Sequence, residues 1–93
     1  MVAQPLNLLG LARGNPSGSS VPGTALEVLY LSAASREELS APWWLLVLEG
    51  ELILDLPHGD FRVLKTGDSL HLSAGLRLDW QPLEAAVVLR QRG

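Results

Sequence analysis

The sequence predicts an all-β fold, a sandwich or barrel of short antiparallel strands. Three observations carry this. Apolar runs with strand-like alternation recur at a spacing of about 8–12 residues, the rhythm of all-β domains. Turns built from Gly, Pro, Asn and Asp stand between those runs. No stretch keeps a 3.6-residue period long enough for a helix of ordinary length.

Taken in order, residues 1–11 carry Leu6, Leu8, Leu9 and Leu11, which suit an edge strand or a single helical turn lying on the barrel. Gly14 to Gly23 has the composition of a flexible loop, and it lacks the Gly-Lys-Ser/Thr ending of a phosphate-binding loop. Thr24–Ser32 reads as a strand covered on both sides, with Leu26, Val28 and Tyr30 on one face. Ser35-Arg36-Glu37-Glu38-Leu39 has a helix-start pattern, but Pro42 follows closely, so the segment reads as a loop. Trp43–Leu48 is a strand, Glu49-Gly50 a turn or bulge, and Glu51–Leu56 a second strand. Pro57-His58-Gly59-Asp60 makes a hairpin turn, with Gly59 free to take positive φ. Phe61–Lys65, Ser69–Leu72, Leu76–Trp80 and Ala85–Leu89 complete the strands, joined at Thr66-Gly67-Asp68, Ser73-Ala74-Gly75 and Gln81–Glu84. The expected division is an N-terminal segment and loop over 1–23, then a barrel over 24–93.

Composition narrows the function classes. The chain has 93 residues, room for one domain and one core. Charged residues make up 18% of it, against about 25% in an average soluble domain. A small chain with so few charges is expected to cover apolar surface against a second copy, as a homodimer. Net charge is −3 and no basic cluster interrupts the sequence, so nucleic acid is not an expected partner. Arg90 and Arg92 read as solvated charges near the C-terminus. There is no cysteine, which excludes disulfides and thiolate chemistry. The N-terminus has no basic leader, and the Trp43–Leu48 apolar run is far short of the roughly 20 residues that cross a bilayer. A cytoplasmic protein with no membrane partner is expected.

Two glycine motifs carry a resemblance. Val47-Leu48-Glu49-Gly50-Glu51-Leu52 matches the end of the first cupin motif. Gly67-Asp68-Ser69-Leu70-His71-Leu72-Ser73-Ala74-Gly75 matches the second, with Ser73 in the proline position. Over residues 24–90 the chain resembles a small single-domain cupin of the RmlC-like kind. The resemblance implies a double-stranded β-helix, or jelly-roll barrel, of short antiparallel strands. It also implies where a metal site belongs. The glutamate ligand falls on Trp43, and the last histidine on Leu78. The His-x-His pair falls on Glu37 and Leu39, or on Arg36 and Glu38. At most one carboxylate remains where a transition metal wants three or four converging donors. No metal and no cofactor is therefore expected.

Trp43, Leu45, Leu78 and Trp80 alternate so as to point the same way along their strands, and the resemblance implies that Trp43 and Leu78 point into the barrel. They either fill it or line a small apolar pocket with an aromatic wall, and in the second case they form the candidate ligand site. His71 shares a strand face with Ser69 and is a candidate general base; His58 belongs at a solvated hairpin tip. Tyr30 and Trp44 are candidate apolar surface residues, and Trp44, which faces away from Trp43, is a candidate for a dimer contact. No Ser/His/Asp triad is placed convincingly. The favoured function is a non-catalytic barrel, binding a small apolar ligand or serving as a structural module. Two alternatives stand beside it. One is a small-molecule isomerase or lyase, metal-independent through His71 or a carboxylate, or metal-dependent with ligands in another register. The other is a protein-interaction module.

Overall fold

The computed structural model describes residues 5–15 and 18–92, and the side chains among them other than that of Arg92. Residues 1–4, 16 and 17 of the N-terminal segment and loop read over 1–23 lie outside the described residues. Nine strands form two antiparallel sheets among the described residues. They are β1 (Ser19–Ser20), β2 (Leu26–Leu31), β3 (Ser35–Glu38), β4 (Trp43–Glu49), β5 (Glu51–Asp55), β6 (Phe61–Lys65), β7 (Ser69–Leu72), β8 (Arg77–Pro82) and β9 (Ala86–Arg92). Sheet A has the order β1-β2-β9-β4-β7, and sheet B the order β3-β8-β5-β6. The chain crosses repeatedly between the sheets, which is how a double-stranded β-helix closes without long edges.

Alternation sorts side chains between the inside and the two outer faces. Along β4, Trp43, Leu45 and Val47 are buried and face in, while Trp44, Leu46 and Leu48 face out and are half-buried. On the facing sheet, Leu52, Leu54, Leu78 and Trp80 point inward. The inner cluster also holds Leu39, Leu64, Leu72, Ala86 and Val88. Each fully buried Leu there is worth about 1.5–3 kcal/mol of apolar burial.

Residues 8–11, open between edge strand and helical turn in the sequence, belong to α1 (Leu8–Gly14). The Asn7 side chain caps it by accepting from the Gly10 N–H at 3.1 Å. The helix lies on the outer face of sheet A. Ala12 is fully buried there among Val28, Val87 and Leu89, and Arg13 pairs with Glu49. Glycine is required at one turn in particular. Gly50 has φ 85°, and a Cβ on it would sit 2.3 Å from the Ala85 carbonyl oxygen. The Glu49-Gly50 corner, where β4 leaves sheet A for β5 in sheet B, depends on that missing side chain.

The expectation for residues 35–39 is corrected. Ser35–Glu38 is a strand and not a loop. Its local signals favoured a cap and a turn. What overrides them is β8, which pairs Arg36 with Asp79 and Glu38 with Arg77 in register. Both are opposite-charge cross-strand pairs, at 2.8 and 3.7 Å. The strand exists because of a partner distant in sequence, as the Arg36–Asp79 separation of 43 shows. Among the described residues no helix is long and apolar enough to cross a membrane.

Candidate functional site

The four residues expected to share the barrel interior are brought together. Trp43, Leu45, Leu78 and Trp80 are 5, 0, 1 and 2% exposed and belong to one packed cluster. The Trp43 and Trp80 rings meet with centroids 5.7 Å apart, tilted by 35°. That is within the range of favourable aromatic contact. The two rings come from opposite sheets, β4 in A and β8 in B, and so tie the layers together.

A fifth residue joins them that the sequence reading placed in solvent. Arg90 is 4% exposed. Its guanidinium lies over the Trp43 ring, with Cζ 4.5 Å from the centroid. Its Nη2 reaches the Glu27 carboxylate at 3.3 Å. The reason is register. Arg90 pairs with Leu45 of β4 on one side and Glu27 of β2 on the other, in line with the inward Val88 two residues before it. Period-two alternation from Ala86 and Val88 carries that signal in the sequence; the residue's charge and its nearness to the C-terminus hid it. A desolvated guanidinium on an indole face is worth about 2 kcal/mol or more, and here the flat cation also has a carboxylate to meet.

The residues at the ligand positions implied by the cupin resemblance do not fit a metal. Trp43, Leu78 and Leu39 are core side chains. Arg36 and Glu38 are engaged with Asp79 and Arg77. Glu37 pairs in register with Leu78, a single carboxylate against an apolar neighbour. Among the described residues no three His, Cys, Asp or Glu side chains gather closely enough to hold an ion.

Concavities lie at the surface. An open groove of about 490 Å³ runs between β3, β8 and the end of β5, past Arg36, Glu38, Asp55, Arg77 and Asp79. Its charges are largely spent on one another. The Arg36 guanidinium, hydrogen-bonded to Asp79, is held above its ordinary pKa by that bond and by the charge behind it. A second concavity of about 270 Å³ is bounded by Pro42, Trp43, Trp44, His71 and Gln91. His71 is exposed and lies across from Trp44 in the β4–β7 ladder. His58 is exposed in a 3-10 turn at φ 66°, next to Gly59 at φ 75°.

No protein-family profile matches the chain, and no curated protein matches it. Its likeness to known proteins is structural. Protein NMB1881 from Neisseria meningitidis superposes with a TM-score of 0.76 at 13% identity, covering 97% of this chain and 100% of that one. A cupin-2 domain-containing protein from Shewanella frigidimarina gives 0.64 at 13% identity, covering 73% and 69%. A putative ethanolamine utilization protein Q from Salmonella typhimurium gives 0.64 at 20% identity, covering 75% of this chain. The chain spans 58% of that protein's length. At such identities the likeness speaks of fold: two antiparallel sheets arranged as in the cupin double-stranded β-helix.

Proposed function

On this cupin fold we propose a non-catalytic structural module that pairs with a second copy of itself. The observation that carries the reading is the packing of the interior. Trp43 and Leu78, at positions where the cupin resemblance implies metal ligands, are instead packed in the interior with Leu45, Trp80 and Arg90. A small apolar ligand at Trp43, Leu45, Leu78 and Trp80 would have to push apart a pair of touching rings. An enzymatic role for His71 lacks a neighbouring acid in its surface concavity among the described residues.

The outer face of sheet A supports the paired state. Helix α1 packs over the β2 side, around Ala12 and Val28. On β4, Trp44, Leu46 and Leu48 stay half-buried, forming an apolar strip beside His71 and Gln91. The low charge content of the chain favours the same outcome.

Sedimentation of the wild type and of Leu46→Arg tests it. The expected result is a dimer mass for the wild type and a monomer mass for a folded Leu46→Arg. A wild type that stays monomeric over the whole concentration range would overturn the paired reading. A thermal shift of the wild type with small apolar compounds separates the ligand-binding reading, since a ligand at 100 times its Kd adds about 2.7 kcal/mol.

A further inference from the structure

Strand β6 is an outer edge of sheet B, with β5 as its one neighbour in the sheet among the described residues. The direction of its backbone groups follows from the ladder. Leu56 donates to the Asp60 carbonyl at 2.8 Å, which makes 56–60 a hydrogen-bonded pair. Such pairs alternate along an antiparallel ladder. In the observed register, Leu54–Arg62 and Leu52–Leu64 are then the bonded pairs. Phe61, Val63 and Lys65 turn their N–H and C=O groups away from β5, toward the free edge.

Side chains and a turn occupy four of those six groups. Asp60 Oδ1 accepts from the Phe61 N–H at 3.0 Å, and Arg62 Nη1 donates to the Phe61 carbonyl at 2.7 Å. Arg62 also holds Asp60 at 2.7 Å, so the two caps brace each other. At the other end, Asp68 Oδ2 accepts from the Lys65 N–H, and the Asp68 N–H donates to the Lys65 carbonyl, each at 2.8 Å. Among the described residues, only the Val63 pair remains open along this strand. Around it the outward side chains are apolar and exposed, with Phe61 57% and Val63 44% accessible.

We propose that the β6 edge is a latent pairing surface for a second copy of this chain, kept closed by Asp60, Arg62 and Asp68. The sequence FRVLK suits a two-fold about Val63. In that register Val63 faces Val63 of the second copy, and the two exchange both of their open backbone bonds. Phe61 faces Lys65 of the second copy, ring against cation, and Arg62 faces Leu64. No like charges oppose each other in that register, so what restrains pairing is the occupied backbone at Phe61 and Lys65. An open, apolar edge of this length otherwise associates readily. The surface lies on the opposite sheet from the strip around Trp44, so pairing through it is independent of the paired state proposed above.

The test is Arg62→Ala with Asp68→Ala, which frees the Phe61 carbonyl and the Lys65 N–H, an acceptor and donor that match across the two-fold. Self-association beyond the wild-type state should tighten by about tenfold or more. The Val63 amide should exchange quickly with solvent in the wild type and be protected, increasingly with concentration, in the variant. Adding Val63→Pro should reverse the gain in association, because a proline whose lost N–H faces solvent leaves the β5 ladder intact. Should the turn variant fail to fold, Asp60→Ala with Arg62→Ala opens the Phe61 end through exposed side chains alone and should move association the same way. An unchanged mass with an unprotected Val63 amide, or association that survives Val63→Pro, would overturn the proposal.

Discussion

Replacing Arg90 by Met removes the buried guanidinium while keeping most of its apolar stem in place. Two losses follow. The cation–π contact with Trp43, at 4.5 Å in a desolvated setting, is worth about 2 kcal/mol. The second is the charge pair with Glu27. Breaking a fully buried pair costs roughly 3–5 kcal/mol and an exposed one about 0–1. Here the arginine side chain is 5% exposed but the glutamate 31%, so water can partly take over at Glu27. A discounted loss of about 1 kcal/mol is appropriate there. The sum is about 3 kcal/mol, or a fall in Tm of about 12–24 °C for a domain of this size. Urea denaturation followed by tryptophan fluorescence measures it. The Glu27→Gln single variant and the double variant complete a cycle, with a coupling of about 1 kcal/mol expected between the two positions. If Arg90→Met stays within about 0.5 kcal/mol of wild type, the guanidinium is not where its energy was assigned.

Other perturbations test other features of the fold. Gly50→Ala should lose roughly 2–4 kcal/mol by chemical denaturation, since alanine must take φ 85° and place its Cβ 2.3 Å from the Ala85 carbonyl oxygen. Leu45→Ala, at a fully buried position of the inner cluster, should lose about 2–5 kcal/mol in the same assay. The Asp60 carboxyl is held below its ordinary pKa, chiefly by the hydrogen bond from Arg62. A depressed folded pKa means that this carboxylate's contribution is present above the unfolded value, about 3.9, and is lost as pH falls through the folded one. An NMR pH titration should show Asp60 titrating higher in Arg62→Ala than in the wild type.

Much of the fold was legible because its signals are local. The Glu49-Gly50 and Thr66-Gly67-Asp68 turns and the short apolar run of Trp43 to Leu48 need no distant partner to be read. Strand β3 was not legible. SREE looks like the start of a helix until Asp79 and Arg77 of β8 lie beside it, and that pairing exists only in the folded chain. The shared facing of Trp43, Leu45, Leu78 and Trp80 is legible in alternation, and the cupin resemblance makes that side the interior. Arg90 obeys the same rule, two residues beyond Val88, but charge is weighted toward solvent in any reading of a sequence. It enters the interior because Trp43 offers a ring face and Glu27 a carboxylate. Neither relationship is visible until β2, β4 and β9 are placed side by side.

The measurement that bears most directly on a barrel packed by its own side chains is a crystal structure of the protein as purified, with the interior density examined between β4 and β8. The expected result is the Trp43 and Trp80 rings in contact near 5.7 Å, with the Arg90 guanidinium over Trp43. Density for a bound ion or small molecule separating those rings, with Arg90 turned out to solvent, would contradict it.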